Sequence, residues 1–167
     1  GNRTEGTSGI IASEGGRIDI GSSVHISSFE IGVHAREAGK VFGDNTKSYN
    51  NTDHGYLAYH DGFIHANYAE AFDSINGFFA SNSSLIVADY AKAHDISVHG
   101  FFAGVNSNIR ANFSLSYDNK YGYKAHRSGE IFAWDAIAHG NSAFGFLADF
   151  LSLIDGERTS SYSNGTN

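Results

Sequence analysis

Residues 77–99 read Gly77-Phe78-Phe79-Ala80-Ser81-Asn82-Ser83-Ser84-Leu85-Ile86-Val87-Ala88-Asp89-Tyr90-Ala91-Lys92-Ala93-His94-Asp95-Ile96-Ser97-Val98-His99, and Gly100-Phe101-Phe102-Ala103 then restarts the same order. Outward from this stretch the leading Gly recurs at Gly9, Gly32, Gly55, Gly77, Gly100, Gly122 and Gly145, at intervals of 22 or 23 residues. Three positions after each Gly stands Ala12, Ala35, Ala58, Ala80, Ala103, Ala125 or Ala148, and nine positions after it Ile18, Val41, Ile64, Ile86, Ile109, Ile131 or Ile154. The middle repeats add Ala66, Ala88, Ala111 and Ala133, then the spaced pairs Ala69/Ala71, Ala91/Ala93, Ser114/Ser116 and Ala136/Ala138. Self-similarity at a fixed short period marks a repeat architecture.

Each period holds three short segments in which apolar or small residues alternate with polar ones, the pattern of strands whose successive side chains face opposite ways. Helical hairpins would need apolar spacings of three and four and would tolerate this much Gly, Ser and Asn poorly. The Leu-x-x-Leu-x-Leu signature of leucine-rich repeats is missing. The expectation is an all-β, single-stranded parallel β-helix of about seven coils, roughly 34 Å tall at about 4.8 Å per coil. Strand one is placed at Gly-aromatic-x-Ala, strand two at Ile-x-Ala and strand three at Ala-x-Ala. Two corner residues join strands two and three. The first is Asp44, Asn67, Asp89 or Asn112, residue types that suit a left-handed corner. The 22/23 variation is assigned to the third turn, near Asp73-Ser74-Ile75-Asn76. Inside, Tyr56, Phe78, Phe101, Tyr123 and Phe146 form one file and the Ile residues another, a dry core that needs no cofactor.

The chain has 167 residues, 41% of them hydrophobic and 17% charged, which fits one folded domain. Residues 1–8 are read as a leader or cap and 9–167 as the β-helix domain, itself expected to be a fragment of a larger protein. A net charge of −7 without clustered Lys or Arg argues against nucleic acid, and no apolar run reaches the roughly 20 residues of a membrane-spanning helix. Without Cys there are no disulfides and no thiolate metal sites.

This repeat, with its Asn/Asp corner, resembles the right-handed parallel β-helices of bacteriophage tailspikes and of pectate-lyase-like enzymes, over nearly the whole chain from Gly9 to about Asn164. The resemblance implies a homotrimer on the virion that takes part in recognising a bacterial surface polysaccharide. Two alternatives stand beside it: a secreted polysaccharide lyase, glycoside hydrolase or epimerase, and a non-catalytic bacterial surface adhesin. No catalytic motif of either group can be carried over, and the short turns lack the insertions in which β-helix enzymes build clefts, so the reading leans away from catalysis.

In a β-helix the chemistry lies on outward residues. Tyr68, Tyr90 and Phe113 follow the corner residue in consecutive coils and Trp134 occupies the corner itself. With Asp89, Asp135 and Arg110 they form a candidate carbohydrate surface, rings for sugar faces and polar groups for hydroxyls. The competing reading gives these rings a covering role over the Ala-rich corner. A second outward file, Ile11, His34, Leu57, Phe79, Phe102, Lys124 and Leu147, is apolar at Leu57, Phe79, Phe102 and Leu147. Together with Phe63, Leu85, Val87 and Phe132 it is a candidate oligomer interface. The nine His residues lack metal-ligand spacing, and His94 and His139 are expected to stack in a file with Phe72 and Tyr117. For glycoside hydrolysis, Asp89 with Asp135 and Glu130 with Asp155 are the carboxylate pairs to test.

Overall fold

A computed structural model describes residues 7–165. The chain winds through three parallel sheets of seven strands each, and every coil contributes one strand to each sheet. Among the described residues there is no helix. One coil shows the plan: His54–Tyr59, then Phe63–His65, then Glu70–Phe72. The registers follow the repeat: Val33, Tyr56, Phe78, Phe101, Tyr123 and Phe146 pair in sequence in the first sheet. Val41 through Ile154 do so in the second.

These files are the core. The rings of Tyr56, Phe78, Phe101, Tyr123 and Phe146 stack with centroids 4.6–4.9 Å apart and planes within 7° of parallel. The spacing of parallel strands therefore sets the spacing of the rings. Where the ring is Tyr, the preceding coil supplies a hydroxyl at its second turn: Thr46 lies 2.9 Å from the Tyr56 hydroxyl and Ser114 lies 2.8 Å from that of Tyr123. Where the ring is Phe78, Phe101 or Phe146, the matching residue is Ala69, Ala91 or Ala136. A buried hydroxyl is thus always given a partner.

The repeating Gly is required for space. A Cβ at Gly100 would meet Ser116 Oγ at 2.2 Å and the Gly122 carbonyl at 2.8 Å, and at Gly77 it would meet the Gly100 carbonyl at 2.6 Å. The third-sheet file of Ala and Ser presses against the first sheet at this point, which leaves no room for a side chain.

The turns differ from expectation in two respects. At the corner between strands two and three the left-handed residue is the second, at Asn45 (φ 57°), Tyr68 (59°), Tyr90 (61°), Phe113 (57°) and Asp135 (55°). The Asn/Asp before it instead accepts, through its side chain, the amide of the equivalent residue one coil away. Asp44 receives Asn67 N at 2.9 Å, Asn67 receives Asp89 N at 2.9 Å, and Asp89 receives Asn112 N at 3.1 Å. These residue types are therefore selected as acceptors in a ladder. The 22/23 variation does fall in the third turn of the later coils. The first coil, however, lengthens its second turn, with five residues (20–24) between strands where later coils have four.

Candidate functional site

The second turn carries the expected aromatic file outward. Tyr68, Tyr90 and Phe113 are 57%, 45% and 49% exposed, and their rings stack with both centroid separations at 4.8 Å and planes 7° apart. Both faces of Tyr90 are occupied by its neighbours, so the ladder offers ring edges along its length and free faces only at Tyr68 and Phe113. The next residues in the file are Asn45 and Asp135, neither of them a ring. Trp134, 44% exposed, stands in the adjacent corner file, its amide donating to Asn112 Oδ1 at 3.0 Å.

The polar residues of this surface are paired. Arg110 Nε donates to Asp89 Oδ2 at 2.8 Å, with Nη2 2.7 Å from the same oxygen. Arg158 holds Asp135 bidentately, Nε to Oδ1 at 2.8 Å and Nη2 to Oδ2 at 2.7 Å, which keeps the Asp135 carboxyl below its ordinary range. Asp89 and Asp135 are thus each committed to a separate guanidinium, and Asp89 is also an acceptor in the corner ladder. Glu130 and Asp155 are staggered: Glu130 lies opposite Leu153, and Asp155 opposite Phe132. Among the described residues no three His, Cys, Asp or Glu side chains converge as metal ligands.

Leu57, Phe79, Phe102 and Leu147 share the outward file of the first sheet, and Phe63, Leu85 and Phe132 face outward from the second. All seven are half-buried by neighbours in their own column. Phe79 and Phe102 stack at 4.4 Å, and Phe79 meets His54 edge-on at 4.8 Å. Leu57 and Phe79 also line an open groove of about 500 Å³ with His34, Arg36, His54 and Tyr59. Sequence reasoning did not single out this groove, because it arises from the shape of three adjacent coils.

The third sheet carries a longer outward stack: Tyr49, Phe72, His94, Tyr117, His139 and Tyr162. Successive centroids are 4.8–5.1 Å apart and planes lie within 8° of parallel. The expected stacking of His94 and His139 with Phe72 and Tyr117 is observed. Glu70 accepts from both Lys47 and His94, which lowers its carboxyl against the opposing effect of burial.

Fold and site together define a three-sheet parallel β-solenoid with short turns and outward ring ladders. Compared with protein-family models, curated proteins and solved structures, the chain matches none.

Proposed function

We propose that this column is a rigid, non-catalytic scaffold that takes part in recognising a bacterial surface polysaccharide, as a segment of a phage tailspike or tail fibre. The observation that carries the reading is the left-handed backbone under Tyr68, Tyr90 and Phe113. That conformation costs a bulky L residue about 1–2 kcal/mol, whereas Asn or Gly adopts it readily. The first repeats use Ser23 and Asn45 at the same position. Left-handed bulky residues recur elsewhere, at Val105, Phe150 and Leu151, but only at Tyr68, Tyr90 and Phe113 do such rings of successive coils stack into one exposed file, which supports a role outside the fold. A ridge of ring edges flanked by Trp134 and the Arg110–Asp89 pair suits an extended glycan, with apolar sugar patches against rings and hydroxyls against charged groups.

The test is binding of the column to an array of bacterial surface polysaccharides, with Tyr90→Asn and Trp134→Ala as variants. Tyr90→Asn keeps the corner in its preferred conformation and removes the central ring. It is expected to fold with undiminished stability and to bind about tenfold more weakly, the equivalent of roughly 1.4 kcal/mol. Unchanged binding by both variants, or no glycan bound by the unaltered column, defeats the reading. Release of reducing or unsaturated ends would favour the enzyme alternative.

The same proposal includes assembly into a homotrimer. Because Leu57 and Phe79 line a groove, the subunit contact is assigned to Phe102 and Leu147 with Phe63, Leu85 and Phe132.

A further inference from the structure

The groove on the first sheet spans coils two to four and is built from a small grid of outward residues. His34 and Arg36 lie in one strand, His54, Leu57 and Tyr59 in the next, and Phe79 in the third. His34 pairs in register with Leu57 and Leu57 with Phe79, so the concavity lies where an aliphatic side chain sits between two rings. The floor is apolar, Leu57 and Phe79, and one end is cationic. Among the described residues no carboxylate lies within ion-pair distance of the Arg36 guanidinium, and its Nε has no hydrogen-bond partner. Glu37, Tyr59 and His60 border that end. Asp53 Oδ2 lies 3.2 Å from His54 Nδ1 without a hydrogen bond between them, and it is not within ion-pair distance of Arg36.

His34 is 8% exposed. Burial, with Arg36 and His54 nearby, holds it neutral, its pKa lowered to about 4. The permanent positive charge of the groove is therefore that of Arg36. Ser8 Oγ stands 3.4 Å from His34 Nδ1, and His34 Nε2 is buried without a hydrogen-bond partner. An unpaired, half-buried guanidinium, whose planar fork of N–H donors matches two acceptor oxygens, calls for a carboxylate-like anion. The apolar floor calls for a hydrocarbon body attached to it.

We infer that this groove binds an amphiphilic carboxylate, an aryl or medium-chain alkyl acid, with its carboxylate on Arg36 and its apolar body across Leu57 and Phe79. The site is separate from the second-turn ladder and does not depend on the glycan reading. The probe is phenylacetate, titrated against the whole chain and followed by chemical-shift changes of the Leu57 methyl and His54 ring signals. Phenylacetamide, of the same shape without the charge, serves as control. Saturable binding of phenylacetate, at least about tenfold weaker binding of the amide, and a similar loss in Arg36→Met are expected. Leu57→Phe, which extends the ring file of Phe79 and Phe102 by one coil, fills the groove, keeps Arg36 and is expected to abolish binding. Absence of saturable binding in the unaltered protein, including closure of the groove by a partner copy, overturns the inference. So does equal affinity for acid and amide, or unchanged binding in a folded Arg36→Met or Leu57→Phe variant.

Discussion

Ser114 Oγ lies 2.8 Å from the Tyr123 hydroxyl in a fully buried part of the column, and among the described residues the phenol's only other acceptor is the Ile137 carbonyl at 3.5 Å. Burial pushes the Tyr123 hydroxyl well above its ordinary pKa, so it stays protonated and needs a partner. Ser114→Ala is therefore expected to cost about 1–3 kcal/mol, the penalty for an orphaned buried hydroxyl. Tyr123→Phe in the same chain should recover much of that loss, because it recreates the Phe101/Ala91 combination one coil below. A denaturant-unfolding double-mutant cycle checks this, and additive losses would mean the two hydroxyls act independently. The repeat places both Tyr rings in a dry file without pairing them; the hydroxyl nine or ten residues earlier, Thr46 or Ser114, is the signal that would have found the partners. Which backbone residue turns left-handed was not legible: Asn and Asp suit both the left-handed corner and the acceptor ladder, and only the hydrogen bonds between coils separate the two roles.

At the scale of an element, the outer face of the first sheet gathers histidines against cations. Burial lowers His99 to about pKa 4, helped by Lys124, Lys120, His54 and His126, and His34 is lowered similarly. The folded state thus binds fewer protons at these rings than the unfolded chain does. Their contribution to stability is complete above the ordinary His value near 6.5 and declines as pH falls from there toward 4. The melting temperature is expected to drop by a few °C across that window, before the lowered carboxylates Asp53, Glu70 and Asp135 begin to titrate. The pair of substitutions His34→Gln and His99→Gln should flatten this part of the melting profile. An unchanged slope would show that the two rings are hydrated and not responsible. The strands themselves were readable from alternation. The cationic neighbours of His99 were not, because Lys120, Lys124 and His126 belong to the following coil.

For the whole molecule, the question is how many columns stand together. Light scattering of the 18.0 kDa chain is expected to give three times that mass. Glu substituted for Phe132, a half-buried outward ring, should lower the mass to that of one chain while leaving the far-ultraviolet spectrum of the sheets intact. A single-chain mass for the unaltered protein removes the trimer from the proposal and leaves the glycan and carboxylate sites to stand on their own tests. The last coil leaves Phe150 and Leu151 open, Leu151 at 96% exposure, so apolar surface is not confined to the proposed subunit contact.

The repeat of Gly, ring, Ala, Ile and small residues settles coil number, strand placement and the inward files, because a parallel column stacks equivalent positions and so turns sequence period directly into contact. Side-chain partners across coils do not follow from period alone: Thr46 and Ser114 emerge as partners of the Tyr hydroxyls only in the folded column. The folded column alone decides what period cannot encode. The Tyr68–Tyr90–Phe113 rings cover one another's faces, Asp89 and Asp135 are held by separate arginines, and Arg36 is left unpaired beside a dent at Leu57. Each depends on the size and reach of side chains in three dimensions, which vary from coil to coil while the backbone period does not.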